Sequence, residues 1–457
     1  MQTHSAMISK SPANALPLTL LQNLRDRLGD PAFLVRNRLN EKAFTRKRLL
    51  PFTVVVLLVL QQTVKSIQAH LHEFLDQWNG ADSPDHAGTG AFTRARAKLR
   101  HSAYMELNSQ VLLPAVYQSV EGFDPRRWRG HRVLGIDGSL IRLPMTRALA
   151  ARFGLVECAN QAGKSSVTFP QARISVLYDV LNRIGLDALL EPHTVAETEL
   201  AQRHLLQCCR GDLLLTDRGY AGYGWFAQMQ AIAVNFVARC SKGSFGAVQK
   251  LFAQNQAGVS QEVTLSAPPE LKGQLRKAGL PLTLQVRLVT VRLSTGELEV
   301  LATNLLDPQR YPTEDFALVY HWRWGIETYY GCLKGRLELE HWSGKTETSV
   351  LQDFHAAVFV SNLESVICRP AEEALAAQTS ERKFPAQLNR AICLHTIKNH
   401  IIALLTGRQP VSKVLRRLQV LFMANPVSAR PERKVSRRKI PPSQSHHHQR
   451  NIHKIVF

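Results

Sequence analysis

The chain has 457 residues, with 57 Lys+Arg against 36 Asp+Glu, a formal net charge of +21 with His neutral, and 45% apolar residues. That apolar share can build hydrophobic cores and excludes wholesale disorder, and the length has room for roughly two to four domains. A mean hydropathy of −0.15 argues against a polytopic membrane protein, and so large a positive excess implies a polyanionic partner, nucleic acid first among them.

The N-terminal MQTHSAMISK lacks the charged start and apolar stretch of a secretory signal, which points to a cytoplasmic protein with no membrane partner. Leu16 to Leu28 carries leucines at helical spacing. The apolar run Leu49 to Leu60 contains Pro51 and Thr53 and falls short of the roughly 20 residues needed to span a bilayer. Val64, Ile67, Leu71, Phe74 and Leu75 predict a helix over 63–78. A loop over 79–90 is rich in Gly, Asp, Ser and Pro, and a second helix over 92–113 opens with Arg94, Arg96, Lys98 and Arg100. Helix, loop and basic helix fit a helical DNA-binding region over 1–130, although the loop exceeds the about 3–4 residues of a helix-turn-helix turn. The four cations are candidate DNA contacts; a solvated basic face is the alternative.

After Trp128 short apolar runs take over. Residues 132–136 end in Asp137-Gly138-Ser139, and 140–143 form a second run. Residues 172–181 and 184–190 are further strand candidates, and 195–209 read as helix. The run 212–216 is a buried-type strand ending in Asp217-Arg218-Gly219-Tyr220, and 224–233 read as helix again. Strands followed by alternating helix and strand argue an α/β domain. A β-rich stretch over about 235–306 interrupts it. Thr313 to Leu339 reads as one long helix with Glu314 and Asp315 in its first turn, as the helix dipole favours. Helices continue to about residue 422. The tail from Asn425, with Arg430, Arg433 and His446-His447-His448, reads as basic and disordered. The seven cysteines form no CxxC and suit reduced thiols better than disulfides or a zinc site. Ala162-Gly163-Lys164-Ser165 resembles the end of a phosphate-binding loop, but the glycine required five positions before Gly163 is Cys158, so nucleotide binding is rejected.

The chemistry concentrates in the 313–339 helix. At about 100° per residue, Tyr320, Arg323, Glu327 and Lys334 fall within an arc of roughly 60°. Val319, Trp322, Ile326, Tyr330, Leu333 and Leu337 form the adjacent apolar face, so the polar stripe borders a buried surface, where a cleft would lie. A carboxylate flanked by guanidinium, ammonium and phenol suits a metal ion with a phosphodiester held around it; an exposed Arg323–Glu327 ladder is the alternative. Trp322 and Trp324 read as core, with stacking on a flipped base as the alternative. Asp137 and Asp217 each end an apolar run, and three carboxylates converging at a sheet edge can hold two Mg²⁺ or Mn²⁺ ions for in-line phosphoryl transfer. Each Asp alone is equally compatible with turn chemistry.

The order DGS, DRGY and Tyr-x2-Arg-x3-Glu-x6-Lys resembles the bacterial DDE transposases of the insertion-sequence-four family. Tyr320, Arg323, Glu327 and Lys334 match the spacing of that family's YREK signature. YHWRWGIETYYGCLKGRLELEHWSGKT, GIDGSLIRLP around Asp137 and LLLTDRGYAG around Asp217 are similar as well, so the resemblance covers about residues 90–405. It implies an RNase-H-like catalytic domain over 131–345 with a β-rich insertion at about 235–306, preceded by the helical DNA-binding region and followed by C-terminal helices over 346–424 and a tail over 425–457. It implies Asp137, Asp217 and Glu327 as ligands of two Mg²⁺ or Mn²⁺ ions, and Tyr320, Arg323 and Lys334 as phosphate contacts near the transposon end. Ser139 and Tyr220 stand where the family often has Thr and Phe, mild departures that leave the triad intact.

The function so implied is that of an insertion-sequence transposase. It would bind inverted-repeat end DNA, hydrolyse a phosphodiester at each end, and join the freed 3′-hydroxyl to target DNA. Paired ends imply a homodimer in a synaptic complex, with the 346–424 helices as the candidate interface; a hairpin step is the family's usual addition. A metal-dependent nuclease or resolvase without strand transfer, and a decayed transposase that only binds DNA, are the alternatives.

Overall fold

The computed structural model describes residues 15–46, 48–62, 66–80, 86–118, 124–159, 166–293 and 295–428. The N-terminal region is helical: α1 (Ala15–Gly29), α2 (Pro31–Asn37), α3 (Phe52–Gln61), α4 (Ile67–Asn79), α5 (Thr89–Arg96), α6 (Ser102–Glu106) and α7 (Leu113–Tyr117), with a π-helical stretch Leu107–Leu112 joining the last two. Asp30 and Ser66 cap α2 and α4 by accepting from the Ala32 and Ala69 amides. Helix α3 is apolar on all sides and correspondingly buried. The single helix expected over 92–113 is interrupted after Arg96. There the backbone of 98–100 pairs with 37–39 instead (Leu39 N to Lys98 O 2.7 Å, Arg100 N to Asn37 O 2.8 Å), which satisfies the groups a continuing helix would have used.

The central region contains β1 (Val133–Arg142), α8 (Arg147–Phe153), β2 (Leu155–Ala159), β3 (Ser166–Asp179), β4 (Ile184–Pro192), α9 (Glu197–His204), β5 (Leu213–Thr216), α10 (Tyr223–Ala231) and β6 (Asn235–Cys240). It continues with α11 (Gly246–Gln254), β7 (Ser260–Ser266), α12 (Pro269–Lys277), β8 (Thr283–Arg292), β9 (Leu298–Thr303), α13 (Asp315–His321) and α14 (Trp324–Gly331). Among the described residues the strands form a nine-stranded sheet in the order β2-β3-β1-β5-β6-β9-β8-β7, with β4 also on β3. Strand pairs β1–β5 and β5–β6 are parallel and the others antiparallel. This is a mixed α/β architecture.

Three expectations change. Residues 132–143 are not two runs separated by a turn: β1 passes unbroken through Asp137-Gly138-Ser139, paired throughout with β3. The 235–306 stretch is not all strand, since it carries α11 and α12, and β9, β8 and β7 extend the main sheet from β6. The 313–339 segment is not one regular helix. Amides of Trp322, Arg323, Gly325 and Ile326 bond three residues back, and a π-helical stretch Cys332–Arg336 follows α14. A uniform 3.6-residue projection therefore fails on both sides of Glu327.

The C-terminal region consists of α15 (Glu347–Gln378), β10 (Ala386–Leu388), α16 (Arg390–Asn399), α17 (Ile401–Leu405), α18 (Val411–Met423) and β11 (Pro426–Ser428). Helix α15 starts from a Thr346–Ser349 capping box and is buried along most of its length. One connected core joins the N-terminal helices, the sheet and the C-terminal helices, and a smaller one lies between the sheet and α13. Arg25 of α1 donates to the Ala403, Leu404 and Gln409 carbonyls, tying the two helical regions together. Pro426–Ser428, expected within the disordered tail, pair with β10. Arg430, Arg433, the histidine triplet and the stretch 162–165 lie outside the described residues. No helix of the described residues is long and apolar enough to cross a membrane.

Candidate active site

Strands β1 and β5 run parallel only from Val133–Leu213 to Gly135–Leu215. Asp137 lies midway along β1, just past the last pair, and Asp217 directly follows β5, so both stand where the two parallel strands part at the carboxyl end of β5, close to the usual place for a site in such sheets. The Asp137 backbone is clamped. Tyr330 Oη donates to its carbonyl at 2.6 Å and accepts from Val176 N at 3.1 Å. Ser175 Oγ donates to the same carbonyl at 3.3 Å and meets His204 Nε2 at 3.1 Å, while His204 Nδ1 faces Asp187 Oδ2 at 2.7 Å.

Each Asp takes its hydrogen bonds on Oδ1. Asp137 Oδ1 accepts from Gly138 N at 2.9 Å. Asp217 Oδ1 accepts from Arg218 N at 2.6 Å and Arg239 Nε at 2.8 Å, and Arg239 Nη1 continues to Glu299 Oε1 at 2.7 Å. Glu327 Oε1 accepts from Arg323 Nη2 at 2.8 Å. Lys334 Nζ donates to Ser139 Oγ at 2.8 Å and Leu140 O at 2.7 Å, so it reaches β1 immediately beyond Asp137. Tyr320 lies within cation–π reach of Arg323, its ring centroid 5.7 Å from the guanidinium carbon. Arg323 is buried, and its charge acts on Asp137, Asp217 and Glu327 alike. All six sequence-predicted residues thus gather around the parting of β1 and β5, two interior strands of the sheet.

The two aspartates differ electrostatically. Burial pushes Asp137 up to about 6; the Gly138 amide and Arg323 oppose this, and the charges of Glu197 and Glu327 add to it. Burial also acts on Asp217, but the Arg218 amide and the guanidinium groups of Arg239 and Arg323 outweigh it and hold that carboxyl below its ordinary value. Lys334 is lowered by burial, with Glu340 opposing.

Carboxylate oxygens are the donors that Mg²⁺ and Mn²⁺ prefer. Several buried polar atoms around the site have no hydrogen-bond partner among the described residues: Thr216 Oγ1, Tyr220 Oη, Tyr320 Oη, Arg323 Nε and Glu299 Oε2. Buried polar groups are rarely left so, and their concentration here fits a site completed by a polar ligand. The triad is not drawn around a single point, however. Among the described residues the only three His, Cys, Asp or Glu donors mutually within 4.8 Å are Glu364, Cys368 and Cys393, in α15 and α16.

The N-terminal cations divide. Arg96 is buried, with Nη2 2.6 Å from Asp353 Oδ1 and Nε 2.6 Å from Gln352 Oε1, so it is committed to the interior and cannot serve as the expected DNA contact. Arg94 and Lys98 line a cavity of about 530 Å³ with Lys42, Arg46 and Arg48. Arg100 is exposed and donates to Leu39 O. Trp324, expected in the core, is 43% exposed beside Arg323. Sequence reasoning missed Arg239, Glu299 and Tyr330 as a hydroxyl donor. Arg239 carried a usable signal, an arginine within an otherwise apolar strand.

The profile of the transposase DDE domain family matches residues 128–363, a span that holds all six site residues and excludes Arg94 to Arg100. A protein of Sinorhizobium fredii named "Putative transposase y4zB" is 25% identical over 160 residues, 35% of this chain and 43% of that protein, so the match spans less than half of that relative. Among solved structures, the piggyBac transposase synaptic complex with hairpin DNA aligns over 93% of this chain and 86% of that one, with 10% identity and a TM-score of 0.40. With more than half of its 457 residues matched by the family profile, this chain belongs to the transposase DDE domain family.

Proposed function

We propose that this protein is a cut-and-paste transposase of a bacterial insertion sequence, of the insertion-sequence-four type, with Asp137, Asp217 and Glu327 as the carboxylates that hold two Mg²⁺ or Mn²⁺ ions. The observation that carries the reading is the placement of Asp137 and Asp217 at the parting of β1 and β5, with Arg323 acting on both and on Glu327. When bound, the ions supply activation of the attacking oxygen and stabilisation of the leaving oxygen. The chain's own residues do the rest. Arg323 and Lys334 supply positive charge on either side of Glu327, suited to a scissile phosphate, and Tyr320 presents a buried hydroxyl with no partner among the described residues. Tyr330 and Ser175 fix the Asp137 backbone.

The central fold is read as RNase-H-like over 131–345. Arg94, Lys98 and the neighbouring cations of the basic cavity are read as end-DNA contacts. A homodimer through the 346–424 helices draws support from the exposed Val420 and Leu421 of α18. The test is strand transfer. The full chain with Mg²⁺, a pre-cleaved duplex of the inverted-repeat end and supercoiled plasmid should give joined product; cleavage of intact ends without joining would instead indicate a nuclease or resolvase.

A further inference from the structure

Asp217, Arg239 and Glu299 stand in a row across three adjacent strands. Thr216 pairs with Ala238 in the parallel β5–β6 ladder, so the next position on each chain segment brings Asp217 beside Arg239. Arg239 pairs with Leu301 in the antiparallel β6–β9 ladder, and Glu299, two positions from Leu301, points to the same face of the sheet. Diagonal neighbours of this kind lie within reach of long side chains. The face is that of the smaller core. Leu215, Val237 and Leu301, each two positions from a member of the row, pack there with Phe316 and Tyr320 of α13.

One guanidinium joins the two acids. Arg239 Nε meets Asp217 Oδ1 at 2.8 Å and Nη1 meets Glu299 Oε1 at 2.7 Å, so a planar fork is held at two of its nitrogens. The ends of the row differ in burial. The side chains of Asp217 and Arg239 are 33% and 26% exposed, whereas that of Glu299 is 8% exposed and enclosed by a packed interior. Glu299 is therefore the anchored end. Its presence costs stability: a carboxylate buried beside apolar side chains is expensive, and Glu299 Oε2 has no hydrogen-bond partner among the described residues. An apolar residue in place of a buried ion-pair member's set is often neutral or stabilising, so packing alone does not account for an acid at this position.

We propose that Glu299 is a positioning residue for the divalent-cation site: it fixes the Arg239 guanidinium, which in turn fixes Asp217 through Oδ1. Partners that orient a ligating carboxylate in this way set metal affinity without touching the metal. The proposal rests on the reading of Asp217 as a ligand, and the test separates the two. Mn²⁺ alone is titrated into the full chain and free Mn²⁺ is followed by electron paramagnetic resonance. The proteins compared are wild type, Glu299→Leu, Glu299→Gln, Asp217→Asn and Glu297→Gln, the last an exposed acid two residues away. Glu299→Leu and Asp217→Asn should each weaken binding about tenfold or more. Glu299→Gln keeps an acceptor for Arg239 Nη1 and should bind close to wild type, as should Glu297→Gln. Circular dichroism checks the fold.

Wild-type Mn²⁺ binding by folded Glu299→Leu, with binding lost in Asp217→Asn, overturns the proposal and leaves the triad reading in place. Glu299→Gln as weak as Glu299→Leu also overturns it, because the charge of Glu299 rather than its hold on Arg239 would then set the affinity. Undiminished binding by Asp217→Asn, or no binding by wild type, overturns the triad reading and the proposal with it. Should Glu299→Leu misfold, Arg239→Lys decides. It keeps the charge but loses the fork that bridges the two acids, so binding should again weaken, and wild-type affinity in folded Arg239→Lys overturns the proposal.

Discussion

Asp137 carries a strongly perturbed charge, and the sign of its effect is testable. Burial raises its carboxyl from the ordinary 3.8 to about 6. Between those values the native chain binds the proton more tightly than the unfolded chain, so stability falls as pH rises from about 4 through 6, and the penalty persists at neutral pH. Asp137→Asn should therefore stabilise the metal-free protein at pH 7.5 by on the order of 1–3 kcal/mol, with no gain near pH 4, measured by urea denaturation. Mg²⁺ should narrow the difference by stabilising wild type alone. Tyr330 makes a separate prediction. Tyr330→Phe removes the hydroxyl that joins Asp137 O to Val176 N and should cost about 1 kcal/mol. It should lower single-turnover cleavage while leaving DNA affinity, measured by gel shift, unchanged.

At the scale of elements, the candidate site was more legible than the path of the backbone through it. Asp137, Asp217, Tyr320, Arg323, Glu327 and Lys334 were readable because residue type and spacing survive local irregularity. The unbroken course of β1 was not, since Asp-Gly-Ser carries the chemistry of a turn and only pairing with β3 holds it extended. Nor were the irregular turns around Glu327, which depend on tertiary packing that periodicity does not encode. Arg239 reaches the site from β6, and Arg96 shows the converse error. It sits in a basic run, but its partners Gln352 and Asp353 are on α15. Arg96→Ala leaves Asp353 buried without its cation and should destabilise the fold by about 3–5 kcal/mol, whereas Arg94→Ala should leave the urea midpoint unchanged.

For the whole molecule, the +21 charge resolves into distinct uses. Arg96 and Arg25 brace the interior, Arg323, Arg239 and Lys334 hold the acids and β1, and Arg94, Lys98, Lys42, Arg46 and Arg48 line an open basic cavity. Each phosphate contact contributes about 0.9 to the slope of log affinity against log salt. The Arg94→Ala/Lys98→Ala double variant should therefore flatten that slope by about 2, leaving Mn²⁺ binding unaltered. One connected core runs from the N-terminal helices through the sheet to α15 and α18, so the helical regions share that core with the central sheet.

The most direct measurement of the central claim is single-turnover, Mg²⁺-dependent cleavage of an inverted-repeat end duplex by Asp137→Asn, Asp217→Asn and Glu327→Gln. The account predicts that each loses about a thousandfold or more, as removal of a charge-stabilising group at a reacting phosphate does, with end binding intact by gel shift. Cleavage at the wild-type rate by any folded member of the three would contradict it.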